Sequence, residues 1–120
     1  MIVMGLAIAG VWTKDIIAGS KVDLSAGLFR ARDGNEGPLL WPHWISEYAT
    51  AGALLAGGIG LLADAVWGRA VAGLALGALF YTSVNSLGWA LARPDRLGYA
   101  VPMLAGVLVS LLGGAFLVLE

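Results

Sequence analysis

The chain has 120 residues, of which 59% are hydrophobic and only 12% charged, with a mean hydropathy of +0.85. Soluble domains carry about 25% charged residues, and a chain this short exposes much of its surface, so there is too little charge here to cover a water-soluble particle. A net charge of -1 gives no basis for nucleic-acid binding, the absence of cysteine excludes disulfides and iron–sulfur ligation, and a single histidine excludes bis-histidine haem.

These limits point to an all-α integral membrane protein, a single four-helix domain over residues 1–120. A bilayer core about 30 Å thick needs roughly 20 mostly apolar residues in a helix. Four stretches approach that length and predict helices at about 1–19, 44–67, 69–93 and 98–119. Short connections make the arrangement an antiparallel, up-down bundle.

In the first stretch, Ile2 to Trp12 is too short to span alone. It reaches span length only if Thr13, Lys14 and Asp15 lie within the helix and Ile16-Ile17-Ala18 completes it. The stretch has no basic n-region, which favours a first helix over a removable signal. Ser20 to Leu40 is the one long connection, with Val22, Leu24, Leu28 and Phe29 set among Lys21, Asp23, Arg30 and Arg32. That pattern allows a short amphipathic helix at the interface, and an ordered surface loop fits equally well.

The second helix is expected after Trp41-Pro42-His43-Trp44, with Pro42 just before or at its start. It should end between Asp64 and Arg69, where a very short turn at Gly68 leads into the third. Arg93-Pro94 ends the third helix, because proline disfavours helix in the residue before it. A turn over Asp95 to Gly98 leads into the fourth.

Small residues recur every four positions: Gly5 and Ala9; Gly52, Ala56 and Gly60; Gly73 and Gly77; Gly106, Ser110 and Gly114. They let helix backbones approach closely, chiefly within the bundle and otherwise between copies. Lys14, Lys21, Arg30, Arg32, Arg93 and Arg96 fall on the side of the first and third connections, and Arg69 alone falls on the other. The positive-inside rule then places both termini outside and those connections in the cytoplasm.

The polar residues converge on the side of the long connection. Lys14 and Asp15 lie near the end of helix one, and His43 and Glu47 are four apart at the start of helix two. Tyr81, Thr82, Ser83, Asn85 and Ser86 form a polar belt in helix three. Intramembrane ionisable groups are costly and mark sites, so Lys14, Asp15, His43, Glu47, Tyr81 and Asn85 are the candidate lining of a polar pocket. Lys14 and Glu47 are expected to approach each other. Asn85 is expected to face the interior, because an amide in hydrocarbon without a partner forfeits roughly 2–7 kcal/mol. The same residues also fit structural roles: snorkelling for Lys14, interface anchoring for His43, and bonding to their own helix for the hydroxyls. No catalytic signature is present. His43 and Glu47 supply two metal ligands where a site needs three or four.

Glu47-Tyr48-Ala49-Thr50-Ala51-Gly52-Ala53-Leu54-Leu55-Ala56-Gly57-Gly58-Ile59-Gly60-Leu61-Leu62, followed by Gly68-Arg69-Ala70-Val71-Ala72-Gly73-Leu74-Ala75-Leu76, resembles the DoxX-like family of small bacterial four-helix membrane proteins. The first helix departs from that pattern, with Trp12-Thr13-Lys14-Asp15 where a Gly/Phe-rich stretch with a basic residue belongs. The resemblance implies a bacterial inner-membrane location and a non-catalytic subunit or accessory protein of a membrane complex, with Glu47 as the residue carried over. It implies no resident cofactor, and a quinone as one ligand beside a lipid or a partner helix. Partners would be the bilayer, a membrane or peripheral protein, or further copies of the chain. The alternative expectation is a homo-oligomeric small-molecule or ion transporter. The small multidrug transporters share this size, yet their carboxylate lies deep in the first helix, whereas Asp15 is near its end.

Overall fold

The computed structural model describes residues 1–17, 37–92 and 94–119, and the side chains of these apart from 15, 37–41 and 95. Among the described residues it is all-helical: α1 (Ile2–Ile17), α2 (Gly37–Leu62), α3 (Gly68–Leu91), a 3-10 segment (Pro94–Tyr99) and α4 (Ala100–Leu119). Three spans are long and apolar enough to cross a bilayer: Pro42–Leu62, Gly68–Leu91 and Arg96–Leu119. The helix α1 includes Thr13, Lys14 and Asp15 as expected, but its 16 residues extend only about 24 Å. Residues 18 and 19 of the expected span lie outside the described residues.

The second helix begins seven residues earlier than the expected position 44 and ends at Leu62 rather than 67. Pro38, at its second residue, accounts for the early start, since a first-turn proline lacks only an N–H that has no helical partner anyway. Pro42 therefore lies inside the helix, not at its start, and leaves one carbonyl of the first turn without its backbone donor. Residues 37–40 of the long connection belong to α2, and the amphipathic helix considered for it lies outside the described residues. At the other end the chain turns over residues 63–67, with Asp64 at φ 50°, a left-handed position that aspartate tolerates better than most residues. The expected turn at 95–98 is a 3-10 segment.

Packing follows chain order. The pairs α1–α2, α2–α3 and α3–α4 lie against each other, while α1 and α4 make no extended contact. Glycine sets the closest approaches. A Cβ on Gly60 would lie 2.8 Å from the Gly68 Cα, and one on Gly57 would lie 2.8 Å from the Ala72 Cα. A Cβ on Gly5 would lie 2.9 Å from the Ala51 carbonyl oxygen. Gly106 abuts the Ser83 hydroxyl in the same way. Internal packing thus explains Gly5, Gly60 and Gly106, but not Gly52, Gly73, Gly77 or Gly114, which have open space around them.

The apolar core comprises Leu54, Ala75, Leu76 and Leu79, with Met4, Ile8 and Val109 packed onto it. A second cluster, Trp12 and Trp44 with Ile16 and Trp89, lies toward the long connection. At the opposite end the Arg69 guanidinium donates to the Leu117 carbonyl at 2.6 Å. It thereby serves one of the last carbonyls of α4, where a cation is favoured.

Candidate functional site

Glu47 lies on α2 one turn after His43, and its side chain is 3% exposed. The Ser86 hydroxyl of α3 donates to Glu47 Oε1 at 2.8 Å, and the Trp12 side chain of α1 also hydrogen-bonds the carboxyl. His43 Nε2 stands 3.7 Å from the same Oε1 and 3.4 Å from Ser86 Oγ. Three helices therefore converge on one carboxyl. A buried carboxyl needs such partners, because an unsatisfied one loses its full solvation.

Aromatic rings enclose this group. Trp12 meets His43 edge-on at 5.0 Å, Trp89 stacks on His43 at 6.4 Å, and Tyr99 stacks on Trp12 at 6.4 Å. The buried Arg96 guanidinium sits 4.4 Å over the Trp89 ring, a cation–π contact. Just outside, the Thr13 and Tyr48 hydroxyls share a 2.7 Å hydrogen bond that links α1 to α2.

Ser86, His43 and Glu47 are the three residue types of a hydrolytic triad, but their geometry differs from one. A triad needs histidine to accept the serine proton while the acid orients the other ring nitrogen. Here the acid accepts from the serine itself and faces the same ring nitrogen as the serine does. In this arrangement His43 does not stand between Ser86 and Glu47 as a triad histidine would. No group of three or more metal-ligating side chains occurs among the described residues.

Beside Glu47 runs a cleft between α1 and α4, where those helices fail to close on each other. Its inner chamber, about 50 Å³, is lined by Met4, Ala7, Ile8, Val11, Trp12, Glu47, Leu79, Ser83, Pro102, Met103 and Gly106. Its outer chamber, about 250 Å³, is lined by Val11, Lys14, Gly98, Tyr99 and Pro102. Val11 and Pro102 line both, so the two adjoin there. The inner walls are apolar apart from Glu47, Ser83 and the Trp12 indole, so the cleft suits a lipid-soluble molecule with a hydrogen-bonding group.

The structure thus brings His43 and Glu47 together, as their four-residue spacing implies. It does not bring Lys14 to Glu47: no ion pair joins them, and Lys14 is exposed at the outer chamber. Lys14 is in the last turn of α1, where a long flexible side chain reaches solvent and complements the helix end. The side chain of Asp15 lies outside the described residues.

Tyr81 and Asn85 correct the expectation for α3, since both are exposed, Tyr81 to 70%. The buried stripe of α3 runs through Ala72, Ala75, Leu76, Leu79, Thr82, Ser83, Ser86 and Ala90. That face carries small residues and lets both α2 and α4 approach, which the Tyr81 ring would prevent. Tyr81 and Asn85 share the opposite face. Sequence reading missed Trp12, Ser83, Ser86, Trp89, Arg96 and Tyr99 as site residues. Ser83 and Ser86 carry the one available signal: with Leu76 and Leu79 they continue a single three-to-four-residue stripe.

The model of a domain of unknown function, DUF8058, matches residues 1–119. The chain belongs to the DUF8058 family. No curated protein and no solved structure matches it. The match covers α1 to α4, so the Glu47 cluster and the cleft lie wholly within the DUF8058 domain.

Proposed function

We propose that this DUF8058 protein is a multi-pass membrane protein without chemistry of its own, which holds a lipid-soluble ligand in the cleft between α1 and α4. In this reading it serves as a subunit or accessory protein of a membrane complex, and lipid and quinone are the ligand classes to consider. The observation that carries it is Glu47, a carboxyl buried among three helices yet forming part of the wall of an apolar cleft. Ionisable groups at membrane depth are expensive and are by default functional. The DoxX-like resemblance enters through the same residue.

Insertion is supported by the three long apolar helices. In this reading the shorter apolar α1 is a fourth crossing segment. A 24 Å helix fits a bilayer if Lys14 snorkels and the bilayer thins locally. The up-down course is supported by contacts that pair early α2 with late α3, Glu47 with Ser86, and late α2 with early α3, Gly60 with Gly68. Positive-inside counting favours termini outside, and a bacterial inner membrane is the setting that the resemblance suggests.

Mass spectrometry of organic extracts from the purified protein tests the binding reading. Wild type is expected to carry a lipid-soluble molecule in near-stoichiometric amount, and Ala7→Trp, which fills the cleft, to carry none while remaining folded. Equal extracts from the two proteins would reject the reading.

The alternative, an oligomeric transporter, draws on the outer face of α3. Asn85 and Tyr81 are exposed there, beside Gly73 and Gly77 with nothing within 4 Å of either. Cross-linking through Asn85→Cys in membranes, with substrate-independent dimers as the outcome, would favour that reading.

A further inference from the structure

Two polar groups along the cleft take no part in the Glu47 cluster. Ser83 is 4% exposed, lines the inner chamber and makes no hydrogen bond with any described residue. Its neighbours do: Thr82 donates to the Leu79 carbonyl and Ser86 donates to Glu47. A hydroxyl in a cavity wall that has no protein partner is available to whatever fills the cavity. Lys14 stands at the other end, exposed in the wall of the outer chamber and without an ion pair among the described residues.

The two chambers also differ in size. The outer one is about 250 Å³ and the inner one about 50 Å³. Gly106, against which the Ser83 hydroxyl sits, lies four residues beyond Pro102, so Ser83 is roughly one helical turn, about 6 Å, further along α4 than the shared residue Pro102. From outside inward, the cleft therefore presents a cation in a wide mouth, the shared residues Val11 and Pro102, a hydroxyl without a protein partner, and a small apolar chamber walled by Ala7, Leu79 and Met103.

We propose that the cleft binds a single-chain amphiphile with an anionic head. The anion sits in the outer chamber against Lys14, an ester or acid carbonyl accepts from the Ser83 hydroxyl, and the hydrocarbon chain follows the apolar walls. A monoacyl anionic phospholipid carries all three features in that order. Charge and hydrogen bonding are both met: the mouth offers a positive group, and Ser83 donates where an acyl lipid offers only acceptors. The proposal rests on the cleft being the ligand site.

Native mass spectrometry of the full chain in non-ionic detergent, titrated with lysophosphatidylglycerol and with lysophosphatidylcholine of the same chain, tests it. Wild type should bind one molecule of the anionic lipid about fivefold more tightly than the zwitterionic one, the effect of a single lysine at a membrane surface. Lys14→Gln should abolish that preference and leave chain binding in place. Ser83→Ala should weaken both lipids by about three- to tenfold, the range of one hydrogen bond. Neither substitution threatens folding, because Lys14 is exposed and the Ser83 change removes one oxygen that bonds no described residue and adds no atom next to Gly106. Equal binding of the two lipids by wild type would overturn the proposal, as would displacement of the anionic lipid by inorganic phosphate alone. A neutral ring compound found in the cleft would overturn the head-group assignment but leave the ligand-site reading intact. Undiminished lipid binding by Ala7→Trp would overturn both.

Discussion

Glu47 and Asn85 show how little the residue type alone says about placement. Both are polar and sit in apolar helices, yet Glu47 is buried with three helices around it and Asn85 is on the outside of α3. Ser86→Ala removes the hydroxyl that donates to Glu47 and leaves a buried acceptor short of a partner. Leaving a buried acceptor without one of its partners costs about 1–3 kcal/mol, so this variant should lose stability in that range in thermal denaturation in detergent. A loss below about 0.5 kcal/mol would mean the Glu47–Ser86 bond is not maintained. Asn85→Leu should change monomer stability by less than about 0.5 kcal/mol, because it removes no internal contact. A large loss would place Asn85 back in the interior.

At the scale of the element, the glycines divide into those that permit contact and those that merely occupy a face. Gly57 and Gly73 are both helical, but only at Gly57 would an added Cβ meet backbone, the Ala72 Cα and N at 2.8 and 2.9 Å. Gly57→Ala should therefore force α2 and α3 apart and cost about 1–3 kcal/mol, as overpacking does. Gly73→Ala meets nothing and should be neutral or slightly stabilising through helix propensity. Thermal denaturation of the pair checks this, and equal effects from both would contradict the packing. The face of α3 that turns inward was only half legible. The stripe from Ala72 to Ala90 has helical spacing, but Tyr81 and Asn85 have it too. Only the demand that α2 and α4 both fit against one face selects the smaller side chains.

For the whole molecule, the telling feature is the seam that stays open. Packing proceeds from α1 to α2 to α3 to α4 and does not return from α4 to α1. Thiol labelling measures this directly, because the chain has no cysteine of its own. Ala7→Cys, in the cleft wall, should react with a membrane-permeant maleimide in the folded protein, while Ala75→Cys, 0% exposed, should react only after denaturation. Protection of Ala7→Cys would show the seam to be closed. The four crossings proposed above would put both termini on one side. Reporter tags fused to each end should give the same compartment, and opposite compartments would reject α1 as a spanning segment.

By itself the sequence determined helical class, apolar character, the approximate helix positions and the closeness of His43 to Glu47. These depend on composition and on separations of a few residues, where the chain's own geometry leaves no freedom. It misplaced the start of α2, because Pro42 reads as a boundary until Pro38 is seen to occupy the first turn. It also paired Lys14 with Glu47, on the cost of an unpaired charge at that depth and on the meeting of the antiparallel ends of helices one and two. Only the tertiary structure decided that Ser86 and Trp12 close on Glu47, that Asn85 turns outward, and that α1 and α4 leave a cleft. Those facts depend on how each helix rotates about its axis against two neighbours, and a nearly uniform apolar sequence gives that rotation no local signal.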